Sequence, residues 1–316
     1  MNRLLIALAL SIATNASAQT FPAKPIRFVV PFPPGGGNDV LARITGAKIA
    51  ESIGQAVVIE NRPGASGQVG TEYVQRQAPD GYTIITAGTP LTVTQAAGKP
   101  MPYDVLKDFT PISLLVLQPN VLVVHPSLAV NSLTELVALA KVQPGKLNIA
   151  LGSSGSAPHL ASELLKSMAA IDIVVVPYNG AAPALRSVLA NEAAMVFDNP
   201  ATSIGAIRGG TLRALGVTGR ARAPQLPDVP AIGETLAGYE VNSWFGVVAP
   251  ANLSKSIADR LSAEFAKALK QPDVQSKLTD QGFTVVGSTP EAFSEHLRNE
   301  IDSVKRIFTR TGLKLE

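Results

Sequence analysis

The sequence predicts an α/β fold in two domains, each a mixed, mostly parallel sheet flanked by helices, joined by two crossing hinge strands. Three observations lead there. From Pro25 onward, short β-branched runs alternate with amphipathic stretches, the pattern of βαβ units feeding a parallel sheet. The same plan starts again near residue 146. Two further segments, "NVLVVHPSLAVNSLTELVALAK" and "SWFGVVAPANLSKSIADRLSAEFAK", match each other as strand, proline break, polar cap and helix, and mark where the chain crosses between domains.

Taken in order, "IRFVV" is the first strand, and Val40, Leu41, Ile44, Ala47 and Ile53 follow at helical spacing. "AVVIE" is the next strand. "NRPGASGQ" then turns the chain into a helix bearing Val69, Tyr73 and Val74, and "APDGY" signals a turn before the strand "TIITAG". In the second copy "LNIAL" runs into the loop "GSSGSAPH" and a helix carrying Leu160, Leu164, Leu165 and Met168. "IVVVPYNGAAPALRSVL" repeats strand, loop and helix, and "AAMVFDN" and "LRALGVT" add two strands. Ser132 with Glu135 fits a capping box, and Ser254 opens a helix striped by Ile257, Leu261, Phe265 and Leu269. Thr289 and Pro290 open a last helix faced by Phe293, Leu297, Ile301, Val304 and Phe308, expected to pack back on the first domain. The expected organisation is a signal segment at 1–18, a discontinuous first domain at 19–124 plus 236–316, and a second domain at 125–235.

The N-terminus "MNRLLIALALSIATNASAQT" has a lone Arg3, an apolar stretch from Leu4 to Ala13 and small residues at Ala16 and Ala18. That is the signature of a secretory signal cut between Ala18 and Gln19, so the mature chain is expected to be exported. The apolar stretch falls short of the roughly 20 residues a membrane span requires, so no membrane insertion is expected after cleavage. With no cysteine, disulfides and thiolate metal sites are excluded and stability rests on packing. A chain of 316 residues exceeds the size at which single cores usually divide. A net charge of +3 with no basic run argues against a nucleic-acid partner.

Two glycine-rich loops carry the chemistry. "PFPPGGGND" and "GSSGSAPH" each lie between a strand and a helix, which places them on opposite walls of a cleft where open α/β sheets bind ligands. The first loop lacks the Gly-Lys-Ser/Thr ending that meets nucleotide phosphates. The dinucleotide fingerprint also fails, because Gly35, Gly37 and Val40 occupy its three glycine positions. A nucleophile elbow would need glycine where Ser156 follows Gly152 and Ser154. His125, His159 and His296 have no spacing that builds a zinc site. What remains is anion binding by unpaired backbone N–H groups at helix N-termini, with glycine and proline letting the backbone approach. Asp39 either caps its own first turn or holds a ligand amine or a water. His159 is either a hydrogen bond at the loop–helix junction or a ligand contact. Thr89, Tyr178 and Asp198 either touch ligand or order their loops, and Trp244 fits the hinge or core.

Together "PIRFVVPFPPGGGNDVLAR", "VVIENRPGASGQVGTEYV", "PDGYTIITAG", "YDVLKDFTPISLL", "LNIALGSSGSAPHLASELL", "VPYNGAAPALRSVL", "MVFDN", "LRALGVT", "LPDVPAIGE" and "SWFGVVAP" resemble the Bug family, the extracytoplasmic solute receptors of tripartite tricarboxylate transporters. The resemblance covers nearly the whole mature chain. It implies a type II-like periplasmic binding protein whose two domains close like a Venus flytrap on a small carboxylate, an organic acid or amino acid, and deliver it to transporter membrane subunits. It also implies a monomeric, non-catalytic receptor with no cofactor and no metal. The implied ligand-binding residues are Phe32, Pro33, Pro34, Gly35 and Gly36, adjoined by Asn38 and Asp39, on one wall. Ser154, Ser156 and His159 stand on the other, with Gly88, Thr89, Tyr178 and Asp198 nearby. One departure is Asn179, where the family often carries lysine. A ligand-dependent periplasmic sensor or adaptor would use the same cleft, and an exported serine hydrolase would use Ser154 and His159.

Overall fold

A computed structural model describes residues 21–98 and 100–313, so the expected signal segment and its cut site lie outside the described residues. The chain runs β1 (Ile26–Val30), α1 (Gly37–Ile53), β2 (Val57–Asn61), α2 (Gln68–Gln75), β3 (Thr83–Gly88), α3 (Thr89–Ala96), β4 (Phe109–Pro119), β5 (Val121–Val124), α4 (Leu133–Val142) and β6 (Asn148–Leu151). It continues through α5 (Ala157–Ala169), β7 (Val174–Pro177), α6 (Ala181–Leu189), β8 (Met195–Asp198), α7 (Pro200–Arg208), β9 (Arg213–Val217), β10 (Asn242–Pro250), α8 (Lys255–Leu269), α9 (Pro272–Asp280), β11 (Thr284–Val285) and α10 (Pro290–Thr311). Two mixed sheets result, one of six strands in the order β11–β4–β10–β3–β1–β2 and one of five in the order β7–β6–β8–β5–β9.

β1 pairs parallel with β2 and β3, and β6 pairs parallel with β7 and β8. The strands at the crossings, β4, β5 and β10, pair antiparallel with their neighbours: β4 leaves the first sheet, and β5 and β10 enter a sheet from the other unit. Helices cover both faces of β1, so Phe28, Val29 and Val30 are all buried and the run lacks polar alternation. Each parallel strand ends in a loop that starts a helix, which brings helix N-termini to one edge of each sheet.

The expected boundary at 124 moves to Asn120. β5 pairs with β8 and β9 in the five-stranded sheet, since Pro119 closes the β4 ladder and the chain changes sheets at the next residue. There the backbone N–H of Asn120 donates to Thr218 Oγ1 at 2.8 Å, and the N–H of Thr218 donates to the Asn120 carbonyl at 2.8 Å. The Val241 N–H donates to the Thr218 carbonyl at 3.0 Å, so both crossings are tied together at one hinge point.

The last helix also departs from its expected placement. Thr289 caps it by accepting from the Ala292 N–H at 3.2 Å, and Phe293 and Leu297 pack with Trp244 in the first unit. Val304 and Ile307 instead enter the core of the second unit beside Leu160 and Leu164. A helix of 22 residues outruns one domain, so α10 bridges both, and Ile307 rather than Phe308 completes the buried stripe. At α4, Ser132 accepts from the Glu135 N–H, but the Glu135 carboxylate reaches the N–H of Asn131, one residue before the cap. Ser254 precedes α8 without capping the helix backbone, its hydroxyl pairing instead with that of Ser256 at 3.3 Å. Trp244 is 1% exposed and packs edge-on against Phe293 and His296, in the core at the hinge.

Candidate functional site

Four strand-to-helix junctions converge: β1–α1, β2–α2 and β3–α3 from the six-stranded unit, and β6–α5 from the five-stranded unit. They enclose a cleft of about 510 Å³. Phe32, Ala65, Ser66, Gln68, Pro90 and Thr94 form one wall, and Ser153 through Ser156 form the other. No charged side chain stands among these lining residues. Helices α2, α3 and α5 begin at the cleft with Gln68, Pro90 and Ser156, so the partial positive charge of three helix N-termini gathers there. The surface suits an anion held by neutral donors.

The β1–α1 loop is fixed from behind. Asp39 accepts from the Gly35 N–H at 3.0 Å, from Arg43 Nε at 2.9 Å and from Asn61 Nδ2 at 2.9 Å. Asn61 Nδ2 also reaches the Phe32 carbonyl at 3.1 Å. The Arg43 hydrogen bond, helped by the Gly35 and Asn61 donors and opposed by burial, holds the Asp39 carboxyl down at about 2. Asp39 therefore shapes the loop and turns its charge inward. Gly35 adopts φ +88, which favours glycine, whereas Gly36 has φ −80 and a Cβ there would meet only the Pro33 carbonyl at 3.9 Å. Pro33, Pro34, Gly35 and Gly36 are exposed beside the cleft, and Phe32 enters its lining. Asn38 is buried beside Gly88 with Oδ1 unpartnered.

On the facing wall, Ser156 caps α5 and its hydroxyl donates to the Ser153 carbonyl at 2.7 Å. His159 Nδ1 accepts from the Gly155 N–H at 3.1 Å, which makes Nε2 the protonated nitrogen. Burial lowers the His159 pKa, with the Glu163 charge opposing and the Lys166 charge adding. Protonating Nδ1 breaks the bond to Gly155. Ligand affinity is expected to hold steady from pH 8 down to the ordinary histidine value of 6.5, then fall as His159 takes up a proton. Affinity measured calorimetrically across pH, with a His159→Gln control lacking that dependence, checks this.

The remaining expected residues make internal bonds. Thr89 Oγ1 accepts from the Trp244 N–H at 3.2 Å and ties α3 to β10. Asp198 accepts from the hydroxyls of Thr202 and Ser203 at the start of α7, while burial raises its pKa. Tyr178 packs against the second unit's core, its N–H donating to the Leu151 carbonyl at 2.8 Å. Gly88 borders a recess rather than the open cleft.

Sequence reasoning missed the β2–α2 loop. Gly64, Ala65, Ser66 and Gly67 have φ of 138, 45, 54 and 96, a run of left-handed backbone that includes two residues with side chains. This strain presents Ala65 and Ser66 to the cleft. "PGASGQ" carries the same glycine-rich strand-to-helix signal as the other two loops. Past Phe32, Ser66, Pro90 and Thr94 the cleft continues into a recess bounded by Thr71, Thr86, Gly88 and Tyr103, with about 30 Å³ free.

Residues 41–313 match the family described as tripartite tricarboxylate transporter family receptor. Protein BugT of Bordetella pertussis is 36% identical over 326 residues, spanning 100% of this chain and 99% of its own length. Among solved structures, R. palustris Rpa4515 with adipate superposes with a TM-score of 0.80 and 34% identity, covering 93% of this chain and 99% of that one. MatC (Rpa3494) from Rhodopseudomonas palustris with bound malate gives a TM-score of 0.76 and 31% identity, covering 91% and 99%. Among the described residues no helix is long and apolar enough to cross a membrane. Two mixed α/β units around a hinged, uncharged cleft, and a family match over most of the chain, lead to one conclusion: this chain belongs to the Bug family of periplasmic tripartite tricarboxylate transporter receptors.

Proposed function

We propose that the protein captures a small carboxylate in the cleft between its units and delivers it to the membrane subunits of a tripartite tricarboxylate-type transporter. The observation that carries this reading is the uncharged cleft at which α2, α3 and α5 begin. A carboxylate there meets several neutral N–H and O–H donors, with no fixed cation to trap it permanently. Solved family members with adipate and malate support the same class of ligand. The hinge at Asn120, Thr218 and Val241 lets the Ser153–Ser156 wall move toward Phe32 and Ser66, so binding is coupled to closure. The chain acts as a monomeric carrier with no catalytic step, exported by a signal cut between Ala18 and Gln19.

Calorimetric titration of the mature chain with mono-, di- and tricarboxylates, together with native mass spectrometry of the purified protein, tests the reading. At least one small carboxylate is expected to bind with one site per chain. A broad panel without any binder, and a protein carrying no small anion, would contradict it.

A further inference from the structure

We infer that the turn after α9 in the first unit and the start of α7 in the second form a latch, which holds the units together on the side of the sheets away from α3 and α5 and parts when the cleft opens. It bears on how the units move, whatever the cleft holds.

The two cores of each unit fix which side this is. In β5, Leu122 and Val124 pack with α4, α5 and α10, whereas Val121 and Val123 pack with α6 and α7. In β1, Val29 packs with α2, α3 and α10, whereas Phe28 and Val30 pack with α1, α8 and α9. The helices that begin at the cleft lining thus share one side, and α9 meets α7 on the other.

The contact joins an amide, a glycine and a helix cap. Gln225, in the connection between β9 and β10, donates from Nε2 to the Thr279 carbonyl at 2.9 Å. Three residues on, Gly282 is buried against the second unit: a Cβ there would stand 2.5 Å from Asn199 Oδ1 and 3.3 Å from the Ala201 nitrogen. Asn199 Oδ1 is itself held, since it caps α7 by accepting from the Ala201 N–H at 3.0 Å. Gly282 has φ +79, so one residue both closes α9 and lets the units touch.

The turn is rigid on its own side. Gln118 Nε2, near the hinge end of β4, donates to the Gln281 carbonyl at 3.1 Å, and the Phe283 N–H donates to the Leu278 carbonyl at 3.0 Å. The Phe283 ring packs edge-on against Phe245 and reaches Gly37, where a Cβ would meet it at 3.4 Å. Gly37 starts α1, so the latch ties α7 to the helix that follows the loop of the first wall. The tie is also built to release. None of these contacts is an ion pair, and Gln225 Oε1 is buried without a partner, which offsets part of what its Nε2 bond gains.

Because the chain has no cysteine, Arg208→Cys on α7 and Gln275→Cys on α9, both exposed, give a unique spin-labelled pair across the contact. Pulsed dipolar spectroscopy of this labelled mature chain, with no carboxylate added, reads the distance between the units. Gln225→Glu keeps the side-chain volume but removes the donor, and is expected to raise the longer-distance population about five-fold, the equilibrium effect of one hydrogen bond. Gly282→Asn tolerates the positive φ but adds bulk at the contact, and is expected to move the main distance outward. Gly54→Asn is the control: Gly54 closes α1 at φ +66 with nothing within 4 Å of its Cβ, and the distances should stay as in the parent. A distribution unchanged in Gln225→Glu or in Gly282→Asn overturns the latch. So does an equal shift in Gly54→Asn, which traces the effect to turn strain. No ligand enters the measurement, so either failure leaves carboxylate capture standing.

Discussion

Replacing Asp39 with alanine is expected to lower the unfolding free energy by about 3 kcal/mol, the upper range for breaking a buried polar network. The side chain is 4% exposed and takes three donors at once. Without it, the Gly35 N–H and Asn61 Nδ2 lose a charged acceptor, and Arg43, half exposed, loses only a screened partner. Asn61 also holds the Phe32 carbonyl, so the variant should loosen the first wall and weaken ligand binding together with stability. The pH dependence has a definite sign. A carboxyl held at about 2 rather than 3.8 stabilises the fold above pH 3.8, and that contribution, about 2 kcal/mol, is lost as pH falls toward 2. Urea unfolding of the two proteins at pH 7 and at pH 3 measures both effects, and the gap between them should narrow at the lower pH.

Gly152→Ala is expected to cost about 3 kcal/mol and to weaken binding as well, because overpacking against backbone has no cheap relief. A Cβ at Gly152 would stand 2.6 Å from the Ala181 nitrogen and 2.7 Å from the Gly180 carbonyl carbon. The Gly180 N–H also donates to the Gly152 carbonyl at 3.0 Å, so the β6–α5 and β7–α6 loops are locked backbone to backbone. Accommodating one methyl group means shifting the 152–156 loop, and that loop is the second wall of the cleft. Gly36→Ala provides the contrast: its Cβ meets only ordinary contact, and its stability is expected to stay within about 0.5 kcal/mol of the parent. Thermal melts of both variants, followed by titration with a binding carboxylate, separate strain from simple loss of a glycine.

Much of the fold is legible in the sequence where local signals act alone. "IRFVV" and "TIITAG" coincide with β1 and β3 residue for residue, and Ser132 and Thr289 cap their helices as short-range hydrogen bonding requires. Long-range choices are less legible. "VLVV" has the same β-branched character in either sheet, and only the pairing of Asn120 with Thr218, 98 residues away, assigns it to the second. The two-domain reach of α10 depends on where the second core happens to lie, which its own stripe cannot specify.

The candidate site divides the same way. Phe32, Ser154 and Ser156 line the cleft, and their loops were visible as glycine-rich junctions. Asp39, Thr89 and His159 sit at those junctions and Asp198 at the β8–α7 junction, but all four spend their polar atoms on backbone and neighbouring side chains. A residue type at a junction does not reveal which way its side chain turns.

The central claim, that a carboxylate sits between two walls of neutral donors, is tested most directly by a crystal structure of the protein with a bound carboxylate identified by titration. The predicted result places the carboxylate within hydrogen-bond distance of the Ser153–Ser156 wall and of the first wall near Phe32 and Ser66, with no lysine or arginine in contact. A carboxylate paired with a surface cation outside the cleft, or one held by a single unit with the hinge unchanged, would contradict it.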